Sequence, residues 1–175
     1  MCYNLIMQWE KATDIILITA LLVLGVFAAL GLYQLITRKS FKKVDRNLLA
    51  FIPTFLIMAI IYIVFEKFLV INVRPDGSGE PSFPSTHTMI VATVFFITML
   101  NLKKYVRQKP LRIILDIVML ILIPLTAVGR VLANKHWPTD VLGGIIFSMI
   151  LATIYYVIAK PSKKSKNHKK EQPDE

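Results

Sequence analysis

Residues 15–36 read IILITALLVLGVFAALGLYQLI, a run of 22 residues without a charged side chain. An α-helix rises 1.5 Å per residue, so about 20 apolar residues are needed to cross a hydrocarbon layer roughly 30 Å thick. The run therefore predicts a membrane-spanning helix.

Four further segments predict spanning helices, namely residues 48–65, 87–102, 111–130 and 141–159. Pro53 and Pro124 fall inside two of them, which spanning helices tolerate because packed neighbours satisfy the freed carbonyl groups. Arg112 and Asp116 stand one helical turn apart and can pair, and an arginine close to a helix end can also extend to the interface. The composition, 55% hydrophobic and 18% charged, excludes a disordered chain and differs from that of a soluble domain. We expect an all-α integral membrane protein, a bundle of about five transmembrane helices.

Basic residues cluster on one side of these predicted helices. Sixteen of the 21 Lys and Arg residues fall within residues 38–46, 103–112 and 160–170. Because short cytoplasmic loops carry the excess of positive charge, we expect a multi-pass protein of the cytoplasmic (inner) membrane with its amino terminus outside and its carboxyl terminus inside. Residues 1–160 then form a single membrane-embedded domain, and residues 161–175 form a basic, disordered cytoplasmic tail. The net charge of +10 indicates orientation, and nucleic acid is not an expected partner.

Two connections on the predicted outer side concentrate residues that bind anions or transfer protons. They supply Lys67, Arg74, Ser85, Thr86 and His87, and then Arg130, His136 and Asp140. The planar fork of an arginine suits phosphate oxygens. Ser85 and Thr86 precede a predicted helix start, where hydroxyl and free backbone N–H groups face a bound anion. The natural ligand of such a set is a phosphate.

The two histidines suit opposite roles in phosphoryl transfer. His136 and Asp140 are four residues apart, so on a helical turn the carboxylate can hold one imidazole N–H while the other nitrogen remains free as a nucleophile. His87 arrives on another segment and can protonate a departing oxygen. With three cations beside them, these residues predict transfer through a phosphohistidine, without a metal or other cofactor.

Each of these residues also has a structural explanation when it is taken alone. His136 and Asp140 can form a helix cap, Arg74 can belong to an ordinary turn, and Lys67 can be an interfacial lysine. Their joint occurrence favours an active site at one membrane face of the helical bundle.

The spacing of these residues carries a family resemblance. The relevant segments run from Lys67 to Pro75, from Pro84 to His87 and from Gly129 to Asp140. They match nine of the eleven named positions in the motifs Lys-x6-Arg-Pro, Pro-Ser-Gly-His and Ser-Arg-x5-His-x3-Asp. The chain thus resembles the type 2 phosphatidic acid phosphatase superfamily.

The resemblance implies a role for each matching residue. His136 is implied as the nucleophile, Asp140 as its orienting group and His87 as the general acid. The implied phosphate ligands are Lys67, Arg74, Ser85 and Arg130. Thr86 stands where the family has glycine and keeps its backbone N–H available to the substrate. Gly129 replaces the family's serine, which removes one hydroxyl group from the phosphate-binding set.

The expected partners are the membrane and a lipid phosphate, and the sequence indicates no oligomeric state. Members of the family act on undecaprenyl diphosphate, phosphatidylglycerophosphate, phosphatidic acid and lipid A phosphate, and the motifs do not separate these substrates. Short outer loops favour a simple head group, so undecaprenyl diphosphate is the first expectation and the others are alternatives.

Two other classes of protein remain open at this point. One is a metal-dependent hydrolase in which His87, His136 and Asp140 bind a divalent cation. The positive charges of the nearby Lys67, Arg74 and Arg130 would repel such a cation. The other is a carrier that binds lipid phosphates without hydrolysing them.

Overall fold

The computed structural model describes residues 2–160, a part of the chain in which the regular structure is helical apart from one isolated two-residue bridge. The α-helices in chain order are α1 (Cys2–Arg38), α2 (Arg46–Leu49), α3 (Phe51–Ile63), α4 (Thr86–Tyr105), α5 (Lys109–Leu132) and α6 (Pro138–Ala159). A 3-10 turn at Phe41–Lys43 precedes α2, and a π-helical turn at Val64–Phe68 continues α3. The predicted tail, residues 161–175, lies outside the described residues.

Five helical stretches of the described chain are long and apolar enough to cross a membrane, namely Asn4–Arg38, Arg46–Phe68, Thr86–Tyr105, Lys109–Leu132 and Pro138–Ala159. Each contains one of the predicted segments, so the prediction of an all-α, multi-pass membrane protein is confirmed. The first stretch is longer than its uncharged run because Glu10 and Asp14 interrupt the apolar sequence without ending the helix.

α4 lies at the centre of the bundle, packed against α1, α5 and α6. Its buried residues occur all round the helix rather than along one stripe, as expected for a helix surrounded by others. Val91 and Phe95 of α4 pack with Ile16 of α1 and Met119 of α5 in one apolar core cluster.

Polar side chains join three helices at the end of the bundle near Tyr105. Asn101 donates a hydrogen bond to the Tyr155 hydroxyl at 2.7 Å, and that hydroxyl donates to the carbonyl oxygen of Asn47 at 2.9 Å. The amide of Asn47 also donates to Asn101 at 2.7 Å, which ties α2, α4 and α6 together. Arg112 and Asp116, whose spacing would allow a pair, do not form one in the described structure. Asp116 Oδ1 is buried there without a hydrogen-bond partner, and the two side chains form no ion pair among residues 2–160.

Two glycines allow close approaches at the opposite end of the bundle. A Cβ on Gly144 of α6 would lie 2.9 Å from the Ser85 carbonyl oxygen and 3.2 Å from Thr88 Cβ, so α6 packs against the first turn of α4. A Cβ on Gly129 of α5 would lie 2.5 Å from Thr13 Cγ2, so α1 packs directly against α5. These contacts set α6 close to the start of α4 and α1 close to the end of α5.

We expect Gly129→Ser to destabilise the protein, although serine is the residue of the family motif. The added side chain collides with Thr13, and such overpacking costs about 1–3 kcal/mol. The measurement is the melting temperature of the detergent-purified protein. Gly25→Ser is the matched control, because no atom lies within 4 Å of a Cβ built on Gly25. Equal melting temperatures for the two variants would contradict the expectation.

Candidate active site

A cavity of about 450 Å³ opens where α4 and α6 begin and α5 ends. Its wall includes five of the eight residues predicted for the site, namely Arg74, Thr86, His87, Arg130 and His136. The α3–α4 connection, the first turn of α4, the last turn of α5 and the α5–α6 connection each supply at least one of them. The fold thus brings both predicted catalytic histidines to one cavity.

The connection between α3 and α4 is held in place by backbone pairing and by side chains near α6. The Arg74 N–H donates to the Glu80 carbonyl at 2.9 Å, and the Ser82 N–H donates to the Asn72 carbonyl at 3.0 Å. Between these pairs, Gly77 and Gly79 have positive φ values of 81° and 74°, which glycine adopts without strain. The Trp137 indole N–H donates to the Val73 carbonyl at 2.9 Å and joins this connection to the residue before α6.

The end of α5 turns the chain back over the cavity. Asn134 has a left-handed φ of 56°, the Lys135 N–H donates to the Arg130 carbonyl at 3.1 Å, and the Asn134 N–H donates to the Val131 carbonyl at 2.9 Å. This is a Schellman motif with asparagine at the left-handed position. Lys135 and His136, the two residues that follow Asn134, then lie on the cavity wall.

His136 is oriented chiefly by a backbone carbonyl group. Its Nδ1 lies 2.9 Å from the Ser82 carbonyl oxygen. A carbonyl oxygen only accepts hydrogen bonds, so Nδ1 carries the proton and Nε2 of the neutral ring holds a free electron pair. That free pair is what a nucleophile needs.

Asp140, predicted to orient His136, has its nearest oxygen 3.9 Å from His136 Nδ1. The carboxylate is fully buried, and it accepts hydrogen bonds from the Trp137 backbone N–H and from the Asn72 amide, both at 2.9 Å. The Ser85 N–H also donates to the Asp140 carbonyl at 3.0 Å. Asp140 therefore fixes the start of α6 against the α3–α4 connection, and its charge acts on His136 from beyond hydrogen-bond distance.

Burial lowers the pKa of His136 from its usual value to about 4. The positive charge of Arg130 adds to this effect, whereas the hydrogen bond with Ser82 and the charge of Asp140 oppose it. The ring is therefore neutral at ordinary pH, as a nucleophilic imidazole must be.

Two arginines bring unpaired donors into the same region. Arg130 is only 4% exposed, and the Nε atoms of Arg130 and Arg74 are both buried without a hydrogen-bond partner among residues 2–160. Arg74 forms an ion pair with Glu80 at 2.7 Å, and Arg130 Nη1 lies 3.6 Å from Asp14 Oδ1. Buried guanidinium donors that the protein itself does not satisfy are suited to an anionic ligand.

The first turn of α4 forms another part of the wall. Thr86 is the first helical residue, and it has no left-handed backbone conformation that would require the glycine of the family motif. The first backbone N–H groups of a helix have no intrahelical partner and favour a bound anion. Ser85 precedes them and is fully buried; its hydroxyl pairs with that of Thr88 at 3.1 Å, and it is not part of the wall.

Lys67 is a predicted phosphate ligand that does not line the cavity. It belongs to the π-helical turn Val64–Phe68, its side chain is exposed, and Glu66 takes a place on the cavity wall instead. A contact of Lys67 with phosphate stays a prediction from the motif.

The cavity wall also contains residues that were absent from the sequence-based prediction, among them Glu10, Asp14, Ser82 and Lys135. Lys135 pairs with Glu10 at 3.2 Å and with Asp76 at 3.4 Å, and Asp14 pairs with His87 at 3.1 Å. The two acids on α1, Glu10 and Asp14, were the one sequence signal for these contacts, since carboxylates in a membrane-spanning helix are costly and need a partner.

The described residues include no group of three His, Cys, Asp or Glu side chains arranged to hold a metal ion.

Fold and site together define a multi-pass helical membrane protein with a cavity lined by histidines and arginines at one end of the bundle. Residues 62–164 match the model of the PAP2 superfamily, which is more than half of the chain, and the chain belongs to that superfamily.

Two relatives illustrate the comparison. The chain is 30% identical over 88 residues to the lipid A 1-phosphatase of Porphyromonas gingivalis; the match covers 50% of this chain and 18% of that protein, so the chain spans about a fifth of that relative's length. It is also similar to the crystal structure of a transmembrane PAP2-type phosphatidylglycerolphosphate phosphatase from Bacillus subtilis. That likeness has a TM-score of 0.60 and 23% identity, covers 91% of this chain and 76% of the other, and supports the shared fold.

Proposed function

We propose that this protein is a metal-independent membrane phosphatase that hydrolyses a lipid phosphate or diphosphate through a phosphohistidine on His136. One observation carries the proposal. His136 holds its Nδ1 proton on the Ser82 carbonyl and keeps Nε2 free, in a cavity that also contains His87 and the two arginines.

In the first step, His136 Nε2 attacks the phosphorus atom and forms a P–N bond. The P–O bond to the leaving group breaks, its electron pair stays with the leaving oxygen, and that oxygen takes a proton from His87. Arg74, Arg130 and the first N–H groups of α4 stabilise the charge on the phosphoryl oxygens.

In the second step, a water molecule attacks the phosphorus atom of the phosphohistidine. The neutral His87 accepts a proton from that water, the P–N bond breaks, and its electron pair returns to His136 Nε2. The products are inorganic phosphate and an enzyme ready for the next cycle.

The substrate that we propose is undecaprenyl diphosphate, with phosphatidylglycerophosphate, phosphatidic acid and lipid A phosphate as alternatives. The cavity wall supports a lipid, because it is apolar where it meets α1, α3 and α4, at Leu17, Tyr62, Phe65, Met89 and Ile90. A polar head group at the arginines would leave its hydrocarbon chain against this apolar part.

We also propose that the site faces the extracytoplasmic side of the cytoplasmic membrane. The support is the distribution of Lys and Arg, since the basic connections 38–46 and 103–112 lie at the end of the bundle opposite the cavity.

The test is release of inorganic phosphate by the purified full chain in detergent with excess EDTA, measured across the four lipids. We expect release to persist in EDTA, to be inhibited by vanadate and to be fastest from undecaprenyl diphosphate. Release that stops with EDTA and returns with a divalent cation would indicate a metal-dependent hydrolase. Binding of lipid phosphate without release would indicate a carrier, and a different preferred lipid would overturn the choice of substrate alone.

We expect the His136 ring to titrate near pH 4, because burial and Arg130 disfavour its protonated form. Above that pH the ring is neutral and able to attack phosphorus, and below it the nucleophile is lost. The measurement is an NMR titration of ¹⁵N-histidine-labelled protein, which avoids interference from the ionisation of the substrate phosphate. The spectrum of His136→Gln identifies the resonance. A midpoint near 6.5, the value of a free histidine, would contradict the expectation.

A further inference from the structure

The proposed reaction gives α1 no role, yet α1 places a carboxylate in the site. Asp14 lies on the cavity wall with its side chain about half exposed. Its Oδ1 is 3.1 Å from His87 Nε2 and 3.6 Å from Arg130 Nη1. One carboxylate therefore contacts both the proposed general acid and a proposed phosphate ligand.

Packing of α1 on α5 fixes where this carboxylate lies. Thr13, the residue before Asp14, is fully buried and packs against Gly129, the residue before Arg130. The close approach at Gly129 sets the distance from Asp14 to Arg130 and, across the cavity, to His87.

The charges around His87 indicate that the Asp14 carboxylate serves as a counter-ion for the protonated ring. Arg130 and Arg74 both direct positive charge at the ring, from α5 and from the α3–α4 connection, and Asp14 supplies negative charge from α1. An imidazolium beside two guanidinium groups needs a counter-ion, and a carboxylate in hydrogen-bond contact with Nε2 provides one.

We propose that Asp14 is a positioning residue that acts through His87. The inference rests on the proposed function. Asp14 accepts the Nε2–H of the protonated ring, which orients the ring and balances its charge, so that the proton on Nδ1 is the one given to the leaving oxygen. After the P–O bond breaks, His87 is neutral with its Nε2–H still on Asp14, and Nδ1 accepts the proton of the attacking water.

The dependence on the leaving group separates this role from phosphate binding. An alkoxide leaves poorly without a proton, whereas a nitrophenolate leaves readily without one, so general-acid catalysis matters for the first and little for the second. A defect in phosphate binding or in folding slows both substrates equally.

The experiment compares wild type and Asp14→Asn on dodecyl phosphate and on p-nitrophenyl phosphate, in detergent with EDTA. We expect kcat/KM on dodecyl phosphate to fall by about 10–100-fold and kcat/KM on p-nitrophenyl phosphate to fall by no more than about threefold. The ratio kcat/KM ends at formation of the phosphohistidine, so it leaves out the water step, in which His87 acts on both substrates alike. Asp14→Glu should restore part of the lost rate. In a His87→Ala background, Asp14→Asn should cause no further loss, because the group through which it acts is gone.

Glu10→Gln is the matched control, since Glu10 lies one turn before Asp14 on the same face of α1 and pairs with Lys135. Its effect should be the same on both substrates.

Equal losses for Asp14→Asn on the two substrates, or a further loss in the His87→Ala background, would overturn the inference while leaving the phosphatase in place. A wild-type chain that hydrolyses neither these two nor any lipid phosphate would overturn the proposed function itself. If Asp14→Asn fails to fold, Asp14→Ser is measured on the same two substrates, and the same outcomes support or overturn the inference.

Discussion

His136→Ala is expected to lower the rate of phosphate release by about four to six orders of magnitude. Removal of an enzyme's nucleophile produces losses of this size, because the residual rate comes only from binding and charge stabilisation. His136 is 4% exposed, and the Ser82 carbonyl accepts its Nδ1–H, so the proposed attacking nitrogen, Nε2, is held in one orientation. The measurement is phosphate release from the preferred lipid under excess EDTA.

A second readout tests the covalent step directly. Wild-type protein that is quenched rapidly after mixing with a ³²P-labelled substrate should carry a phosphoryl group that is stable in base and labile in acid. His136→Ala and His136→Gln should carry none. His168→Ala, a change of the third histidine, in the lysine-rich tail outside the three motifs, should be labelled like wild type. Labelled His136→Ala, or a residual rate above a hundredth of wild type, would rule out His136 as the nucleophile.

Arg130→Lys is expected to reduce kcat by about 10²–10³-fold, although the charge is conserved. A guanidinium that stabilises a transferring phosphoryl group contributes several orders of magnitude to the rate. A lysine ammonium is a point charge that cannot present two parallel donors to two oxygens. In this protein the Arg130 Nε is buried without a partner among residues 2–160 and is one of the donors that would be lost.

The matched control for Arg130→Lys is Arg112→Lys, at the opposite end of the same helix. This change should leave kcat and KM within about twofold of wild type, since surface substitutions away from the site have small effects. An Arg130→Lys variant with at least a third of the wild-type kcat would remove Arg130 from the phosphoryl-binding set. The thermal midpoint of each variant shows whether a loss of rate reflects a loss of fold.

The membrane-spanning helices could be predicted from the sequence, because each contains an uncharged apolar run close to the thickness of a bilayer. Their ends could not. α1 begins well before Ile15, since the acids that end its apolar run face a polar cavity rather than lipid. An uncharged apolar run therefore predicts the part of a helix that contacts hydrocarbon. The helix itself can continue beyond that run where its polar residues face a cavity within the bundle.

Part of the cavity lining was predictable from residue type and spacing. His87, His136, Arg74 and Arg130 follow from their offsets along the chain, and all four line the cavity. The Ser82 carbonyl that orients His136 was not predictable, because every residue has a backbone carbonyl and only the path of the chain selects one.

Two details of local geometry also lay beyond the sequence. A π-helical turn adds a residue to the usual helical turn, and it is this element that presents Glu66 to the cavity and Lys67 to the outside. Asp14 could not be assigned to the site because its partners, His87 and Arg130, are brought to it by the packing of three helices that no short motif encodes.

The contact between Thr13 and Gly129 makes α1 and α5 a matched pair. A chimaera with a foreign first helix must reproduce the close approach of position 13 to Gly129, where a Cβ would lie 2.5 Å from Thr13 Cγ2. Exchange of first helices within the superfamily would then succeed only when the residue at position 129 travels with the helix. Libraries of hybrid enzymes should therefore be divided by the identity of that one residue before their parts are combined.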